Sequence, residues 1–252
     1  MEITESQYLR IADCLPRQRG NVSLSNLEVL NAILYVAEHG CKWRGLPKAL
    51  GNWHTIYTRM NRWSKAGVLD RVFVHLQREQ IIAVKIQAVS LDSTTVKVHP
   101  DGTGALKKTA RKPSVVPAGA APPRFIWLPA HARCALNFSL SPGQDGDAPR
   151  GRELLRAGGP APRGCHLIMD RAYEGDETRE LGVELGYVVV VPPHPNRVHP
   201  WEYDWLMYRR RNEVERLFRR LKGFRRVFSR FDKLDVMFTA FVFFALIVEA
   251  LR

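Results

Sequence analysis

Residues 165–193 read CHLIMDRAYEGDETRELGVELGYVVVVPP, a stretch that places one helix between two strands. CHLIMD predicts a short buried strand that ends on Asp170, and YVVVVPP predicts a second strand closed by two prolines. The intervening DETRELGVELG predicts a helix with Asp176 as its N-cap. Strands that alternate with helices in this way imply an α/β or mixed-sheet domain.

The same alternation extends to both sides of this stretch and predicts one domain over residues 81–252. The further predicted elements are strands at 84–98 and 134–143 and helices at 147–158, at 208–226 and from 231 onward. The first of these strands carries Asp92. The helix at 147–158 has Asp147 as its predicted N-cap and a proline in its first turn. Asp147 could also tune a site or contact a ligand, although cap roles are commoner.

Residues 1–80 differ from the rest, because they predict a small all-α region rich in aromatic side chains. NLEVLNAILYVAEHG gives an amphipathic helix that ends at Gly40. A short helix (46–50), a turn and a second helix (54–65) follow, which resembles a helix-turn-helix. The second helix would present Arg59 and Arg62 to DNA. A small basic three-helix bundle without groove contacts is the alternative.

The charge balance points to a polyanionic partner. The 252 residues include 38 Lys and Arg against 25 Asp and Glu, which gives a net charge of +13 and a pI near 10.0. Such an excess favours nucleic acid or an acidic membrane surface. The longest apolar run, 236–248, is too short to span a bilayer. With four scattered cysteines and a polar N-terminus, we expect a soluble cytoplasmic protein with reduced thiols.

Projected as a helix, residues 208–226 carry two distinct stripes. The first is apolar and faces the core: Val214, Leu217, Phe218 and Leu221. The second places Glu215 among cations: Tyr208, Arg211, Glu215, Arg219 and Lys222. Glu213 belongs to neither stripe and is predicted to be a solvated charge. Glu215 alone could be no more than a partner in an i,i+4 ion pair with Arg211 or Arg219.

Two further acids, Asp92 and Asp170, lie in or at the end of apolar strands, where a charge is costly unless it is paired or bound to metal. Each taken singly is more simply a strand-end cap or a surface acid. Together with Glu215 they form an oxygen donor set that suits Mg²⁺ or Mn²⁺, and two such ions can stabilise both oxygens of a phosphodiester displacement. The arginines around Glu215, and Arg171 beside Asp170, would then hold the nucleic acid backbone.

Several motifs resemble those of one protein family. The spacing Tyr208-x2-Arg211-x3-Glu215-x6-Lys222 is similar to the tyrosine–arginine–glutamate–lysine signature of bacterial insertion-sequence transposases. The regions that resemble the family's remaining blocks are GCKWRGLPKALGNWHTIYTRMNRWSKAGVLDRV, LDSTTVKVHPDGTGALKK, SPGQDGDAPRGRELL, MDRAYEGDETRELG and RRNEVERLFRRLKGFRRVFSRFDKLDVMF. In order and extent they resemble a DDE transposase of the insertion-sequence-5 type over nearly the whole chain.

The resemblance implies a ribonuclease-H-like catalytic domain, with Asp92 on its first strand, Asp170 just after its fourth and Glu215 on a late helix. These three would be the catalytic residues and the ligands of Mg²⁺ or Mn²⁺, with two ions expected. The implied reaction hydrolyses a strand at the element's end, and the freed 3′ hydroxyl then attacks target DNA.

The resemblance also implies partners. Tyr208, Arg211 and Lys222 would contact the transposon end, and Arg219 lies on the same stripe. Two copies would pair the two terminal inverted repeats as a homodimer, in the cytoplasm and associated with the nucleoid. A catalytically inactive protein that binds transposon ends, and a nuclease of the same fold that never joins strands, are the alternatives.

One segment departs from the family. Residues 109–129, TARKPSVVPAGAAPPRFIWLP, replace a polar second strand with a proline-rich run of equal length. Codons for it can be chosen so that the frame one nucleotide earlier reads NGPQAIGRSRGGCTTKIHMVA, which is closer to the family. We hypothesise that the segment is translated out of frame, which the coding DNA would decide. Because proline cannot donate ladder hydrogen bonds, we expect the sheet to lack its second strand, apart from a possible stub at 125–128.

Overall fold

The computed structural model describes residues 2–20, 22–83, 87–99, 124–131, 134–141 and 145–252. They form two compact units. The helical unit comprises the described residues within 1–80, 97–118 and 220–252, and the sheet unit comprises those within 81–96 and 119–219. The assignment of separate functions to residues 1–80 and 81–252 stays a prediction.

Seven strands lie within the described residues. They are β1 Ala88–Thr95, β2 Lys97–Val98, β3 Arg124–His131, β4 Cys134–Ser141, β5 His166–Met169, β6 Val188–Val190 and β7 Ser229–Arg230. Five of them form one sheet in the order β4-β3-β1-β5-β6. β3 runs antiparallel to β1 and β4, whereas β5 runs parallel to β1 and β6. The prediction of an α/β domain with a mixed sheet is therefore confirmed. β2 and β7 pair separately in the helical unit.

The helices occur before, between and after these strands along the chain. Those described are α1 Glu5–Leu9, α2 Asn26–His39, α3 Trp53–Lys65, α4 Val68–Ala83, α5 Asp147–Gly158, α6 Asp176–Glu184, α7 Trp205–Tyr208, α8 Asn212–Lys222, α9 Arg225–Phe228 and α10 Asp235–Leu251. None of the helices in the described ranges combines the length and apolar character needed to cross a membrane.

Local sequence signals set the ends of the helices near the N-terminus. Ser25 and Glu28 form a capping box that starts α2, and Gly40 ends it in the left-handed conformation, with φ of 65°. Asn52 caps α3 by accepting a hydrogen bond from the N–H of His54. The short helix predicted before α3 is only a 3-10 turn, Lys48–Leu50. The helix-turn-helix interpretation stays a prediction.

Two predicted N-caps are wrong by one residue. Gly146 and Gly175 occupy the cap positions of α5 and α6, and neither cap makes a side-chain hydrogen bond. Asp147 and Asp176 are instead the first helical residues, where a negative charge still interacts favourably with the helix dipole. Their carboxylates form ion pairs with arginines, Asp147 with Arg124 and Asp176 with Arg197.

Residues 208–226 do not form the single long helix that the stripes predict. α7 passes through a 3-10 turn, Arg209–Arg211, into α8, which ends at Lys222. The N–H of Gly223 then bonds the carbonyl of Arg220, and Phe224 adopts an extended conformation before α9. Phe224 is buried. The break in the helix therefore directs this aromatic side chain into the core, whereas a continuous helix would direct it to a different side. The apolar stripe on α8 is buried as predicted.

The second strand of the sheet is present and is longer than the stub that we expected at 125–128. β3 pairs with β1 from Arg124 to Trp127 and with β4 on its other side. Pro129 lies beyond the residues paired with β1, at a register shift in the β3–β4 ladder, so its missing N–H affects only the end of that ladder. The stub expected at 125–128 is confirmed, and the expectation of a missing strand is wrong for residues 124 and 129–131, which extend it. Residues 109–123 lie outside the described residues, and the reading-frame hypothesis stays a prediction.

The core of the sheet unit brings α5 directly against β1. Its buried members include Val89 and Leu91 on β1, Leu167 on β5 and Tyr173 in the turn after β5. A Cβ added at Gly151 would lie 2.8 Å from Cε1 of Tyr173 and 2.9 Å from Cδ2 of Leu91. Only glycine permits this close approach, which fixes α5 against the strand that carries Asp92.

A buried ion cluster lies in the helical unit, near its C-terminal helix. It consists of two arginine–aspartate pairs, Arg226–Asp232 at 3.3 Å and Arg230–Asp235 at 2.6 Å. The arginines also donate to the backbone carbonyl of Cys41 and to carbonyls following β7. We call these four residues the C-terminal ion cluster.

Candidate active site

The pairing of β1 with β5 brings two of the predicted catalytic acids together. The parallel register places Leu91 opposite Met169, so Asp92 and Asp170 are the next residues along two neighbouring strands. Asp92 is buried within β1, and its Oδ1 accepts the N–H of Ser93 at 2.8 Å. Asp170 follows β5 directly, and its Oδ1 accepts the N–H of Arg171 at 2.7 Å.

Arg211, in the turn before α8, joins these aspartates to the third acid. Its Nη1 lies 2.8 Å from Oδ2 of Asp92 and 3.9 Å from Oδ2 of Asp170. Its Nη2 lies 3.6 Å from Oε1 of Glu215, one turn further along. The ion pair between Arg211 and Glu215 that the sequence offered as an alternative therefore exists. We call these four residues the carboxylate site.

The members of the carboxylate site differ sharply in exposure. The side chain of Asp92 is 8% exposed, that of Arg211 26%, that of Asp170 42% and that of Glu215 52%. The site therefore has a buried floor at Asp92 and an open rim at the other two acids. This shape would give a charged ligand access from solvent.

Burial dominates the electrostatics at the floor of the site. It raises the pKa of Asp92 to about 6, because the charged form loses its hydration. The guanidinium of Arg211 and the N–H of Ser93 oppose this rise. The carboxylates of Asp170 and Glu215 add to it by repulsion. Three acids share one cation, so the site carries excess negative charge.

The donor atoms of the site suit a divalent metal ion, but their present arrangement does not. Three carboxylates whose oxygens approach a single cation resemble the ligand sets of Mg²⁺ and Mn²⁺. Within the ranges that the structure describes, however, no three His, Cys, Asp or Glu side chains are arranged to hold a metal ion. The guanidinium of Arg211 lies among the carboxylates instead.

Comparison with known proteins places the chain in a family. Residues 84–248 match the family model described as "Transposase DDE domain", and residues 3–73 match "Putative transposase of IS4/5 family". The chain belongs to the DDE transposase family. The resemblance noted in the sequence is thereby confirmed.

One of two similar curated proteins also carries a transposase name. The chain is 32% identical over 119 residues to a Brucella ovis protein, "Putative transposase for insertion sequence element IS6501", covering 46% of this chain and 88% of that one. It is 31% identical over 115 residues to "Uncharacterized protein y4sN" of Sinorhizobium fredii, covering 44% and 89%. Among solved structures, the Mos1 mariner paired-end complex with Mn matches at 13% identity over 75% of this chain and 66% of that one. Its TM-score of 0.26 is too low to carry an argument.

A second hydrogen-bonded group supports the strand that carries Asp92 in this DDE transposase chain. The hydroxyl of Ser93 donates to Oδ2 of Asp147 at 2.8 Å, and Arg124 donates to Oδ1 of the same carboxylate at 2.9 Å. Asp147 therefore ties α5 to β1 and β3. The sequence suggested Asp147 as a tuning residue but did not identify Arg124, which lies in the atypical segment and carries no motif.

The predicted DNA-binding residues near the carboxylate site lie in different environments. Tyr208 is half-buried against Ile168 and its neighbours, and burial raises its pKa. Arg171, Arg219 and Lys222 are exposed. Their side chains are therefore accessible to a phosphate backbone. Glu213, predicted to be solvated, is half-buried and pairs with Arg210 at 3.7 Å.

The two predicted DNA contacts on α3 also differ from each other. Arg59 donates to the carbonyl of Leu24 at 2.8 Å and to the side chain of Asn26, and it stacks over Trp63. Its guanidinium thus joins α3 to the start of α2. Arg62 is exposed and free of such internal bonds among the described residues. A DNA contact is a prediction for both, and only Arg62 presents its charge to solvent.

Proposed function

We propose that the protein is a DNA transposase that cuts at the ends of an insertion sequence and joins the 3′ ends to target DNA. Asp92, Asp170 and Glu215 are its catalytic residues and the ligands of Mg²⁺ or Mn²⁺, with two ions expected. The observation that carries the proposal is the contact of all three acids with one guanidinium, that of Arg211, in a chain of the DDE transposase family.

The positions of the acids support a ribonuclease-H-like catalytic domain. Asp92 lies on the first strand of the five-stranded sheet, Asp170 directly follows the fourth strand in chain order, and Glu215 lies on a late helix. The second strand, β3, pairs beside the first. This arrangement is the one that the family resemblance implies.

The residues of the site have separable roles in this proposal. A bound divalent ion would polarise the scissile phosphate and activate the attacking water or 3′ hydroxyl. Asp92 provides a fixed ligand, because the strands around it are buried and its other oxygen is held by the N–H of Ser93. Asp170 and Glu215 provide ligands at the open rim. The rigid network at Asp147 keeps β1 in place.

Exposed cations provide the phosphate contacts. Arg171 adjoins Asp170, and Arg219 and Lys222 lie on the same helix as Glu215. A DNA strand bound to these cations would therefore pass the carboxylates. Tyr208, Arg211, Arg59 and Arg62 complete the proposed contacts. The net charge of +13 favours such binding at low salt. Two copies would hold the two inverted repeats.

A second candidate is a DNA-binding protein that occupies transposon ends without cutting. One observation favours it: the carboxylates already bind the guanidinium of Arg211. The two candidates differ in whether the acids exchange this cation for metal.

A cleavage and strand-transfer assay separates the candidates. The substrates are duplexes covering the DNA that flanks the coding sequence, with Mg²⁺ or Mn²⁺. We expect metal-dependent nicking and joining, and a loss of about 10³-fold for Asp92→Asn or Glu215→Gln, because a metal ligand supports several kcal/mol of transition-state stabilisation.

Glu213→Gln is the matched control, since it removes a neighbouring carboxylate on the same helix, and it should cut normally. DNA binding by all three variants should persist. Cutting that survives Asp92→Asn disproves the assignment of the site, and binding without any cutting supports the second candidate.

A further inference from the structure

The guanidinium of Arg211 contacts all three proposed metal ligands. It lies 2.8 Å from Asp92, 3.6 Å from Glu215 and 3.9 Å from Asp170. No other cation among the described residues forms an ion pair with any of these carboxylates. Arg211 therefore supplies the positive charge that keeps three acids close together.

A metal ion and this guanidinium would use the same oxygen atoms. Oδ2 of Asp92 makes the shortest contact of Arg211, and Oδ1 of Asp92 accepts the N–H of Ser93, which leaves that oxygen one acceptor position. A divalent ion at Oδ2 would also lie within a few Å of the guanidinium, where like charges in a partly buried site repel strongly. Both cations cannot occupy the site in this arrangement.

We propose that Arg211 is a positioning residue that holds the three carboxylates in the metal-free protein and competes with the divalent ion for them. The inference rests on the proposed function, because it takes the three acids as the metal ligands. Ion entry then requires the guanidinium to leave Asp92. Arg211 has room to do so, since its side chain is partly exposed.

The competition predicts that removal of the Arg211 guanidinium lowers the stability of the metal-free protein and raises its affinity for the metal ion. Without Arg211, Asp92 remains in a buried strand with only the N–H of Ser93 as a described partner. The metal-free protein then loses stability, because a buried charge has lost its counterion. The same loss removes the repulsion that an entering ion would experience, so the ion binds more tightly.

Mn²⁺ binding to the full-length, chelator-treated protein tests the proposal without any activity measurement. Free Mn²⁺ is followed by electron paramagnetic resonance during titration, and Tm is recorded with and without Mn²⁺. Arg211→Gln should bind Mn²⁺ about tenfold more tightly or better than the wild type, given the loss of one nearby positive charge. It should also have a lower metal-free Tm and a larger Mn²⁺-induced rise.

Two variants act as matched controls. Arg211→Lys keeps the charge and should bind Mn²⁺ with nearly wild-type affinity. Arg216→Gln removes an exposed cation from the same helix and should leave both affinity and Tm unchanged. Equal or weaker Mn²⁺ binding by Arg211→Gln overturns the proposal.

Asp92→Asn separates this inference from the proposed function. If Asp92→Asn abolishes Mn²⁺ binding but Arg211→Gln does not strengthen it, the competition fails and the metal site stands. If Asp92→Asn binds Mn²⁺ normally, the metal site itself is wrong.

A measurement on the wild type keeps the proposal testable even if Arg211→Gln does not fold. Modification of Arg211 by phenylglyoxal, located by mass spectrometry, should become faster when Mn²⁺ is present, because the displaced guanidinium is more accessible. An unchanged rate overturns the proposal.

Discussion

The carboxylate site and the C-terminal ion cluster both combine buried aspartates with arginine, yet they are built differently. In the C-terminal ion cluster each arginine has its own aspartate, and all four side chains are at most 14% exposed. In the carboxylate site three acids share Arg211, and two of the acids face solvent. In the C-terminal ion cluster the opposite charges are equal in number and the side chains are shielded from solvent. In the carboxylate site negative charges outnumber the positive one, and two acids are exposed.

This difference is the one expected between a structural use of buried charge and the proposed functional one. The arginines of the C-terminal ion cluster also bond backbone carbonyls and stack over aromatic rings, for example Arg230 over Phe238. Each guanidinium therefore has both a carboxylate and backbone carbonyls as partners within the fold. The carboxylate site keeps unneutralised negative charge beside solvent, which stabilises nothing by itself and favours binding of a cation.

The largest effect on folding should come from the C-terminal ion cluster. Arg226→Met leaves Asp232 buried without its partner and should lower the free energy of unfolding by about 3–5 kcal/mol, measured by urea denaturation. Arg225→Met, at the neighbouring exposed position, should change it by less than about 0.5 kcal/mol. A loss below about 1 kcal/mol for Arg226→Met would show that the cluster is not a structural pair.

The second effect is a pH dependence that belongs to the carboxylate site. Burial raises the folded-state pKa of Asp92 from 3.8 to about 6. Protonation therefore favours folding, so this contribution is complete below about pH 4 and disappears as the pH rises through 6. It amounts to roughly 3 kcal/mol, since one pKa unit corresponds to about 1.36 kcal/mol.

The wild type measured against Asp92→Asn in EDTA isolates this contribution. Between pH 4 and pH 7, the unfolding free energy of the wild type should fall by this amount relative to that of Asp92→Asn. Burial also raises the pKa of Asp232, but both proteins share that effect. A difference that does not vary with pH would mean that Asp92 titrates normally.

A smaller effect tests whether the floor of the carboxylate site is as tightly packed as the ion cluster. Gly151→Ala places a methyl group 2.8 Å from Tyr173 and 2.9 Å from Leu91, which should cost about 1–3 kcal/mol of unfolding free energy. Gly158→Ala, in the same helix, meets only Leu128 at 3.4 Å and should be neutral or slightly stabilising. Equal thermal denaturation profiles for the two variants would disprove tight packing.

The smallest effect concerns Glu213. Its ion pair with Arg210 is long and partly exposed, so Glu213→Gln should change the unfolding free energy by less than about 0.5 kcal/mol. Guanidinium denaturation measures this. A larger loss would mean that the interpretation of Glu213 as a neutral neighbour of Glu215 is wrong, and that its use as a control must be abandoned.

Much of the fold follows from local sequence pattern. The strand before Asp170, the helix after it and the strand over residues 188–190 appear where periodicity and turn residues predict them. The N-caps of α5 and α6 were misassigned, because aspartate is favoured both at the cap and in the first turn. The break after Lys222 was missed, because burial of Phe224 is a tertiary effect that overrides helical pattern.

The candidate site was predictable as a set of acids but not as an arrangement. The adjacency of Asp92 and Asp170 depends on strand register, which no local pattern encodes. The position of Arg211 was predicted on the same helical stripe as Glu215, yet its contact with Asp92, 119 residues away in sequence, became visible only in the structure. Arg124 carries no motif at all and was found only through its contact with Asp147.

The pairing of β3 has a consequence for how the gene can vary. In the alternative reading frame, the described positions would change as Arg124→Lys, Phe125→Ile and Leu128→Val, which keeps a cation opposite Asp147 and apolar side chains at two buried positions. Ile126→His is the exchange that alters polarity. If the coding DNA carries this frame, it would keep the charge pair with Asp147 and the apolar side chains at positions 125 and 128, but it would place a histidine at the fully buried position 126.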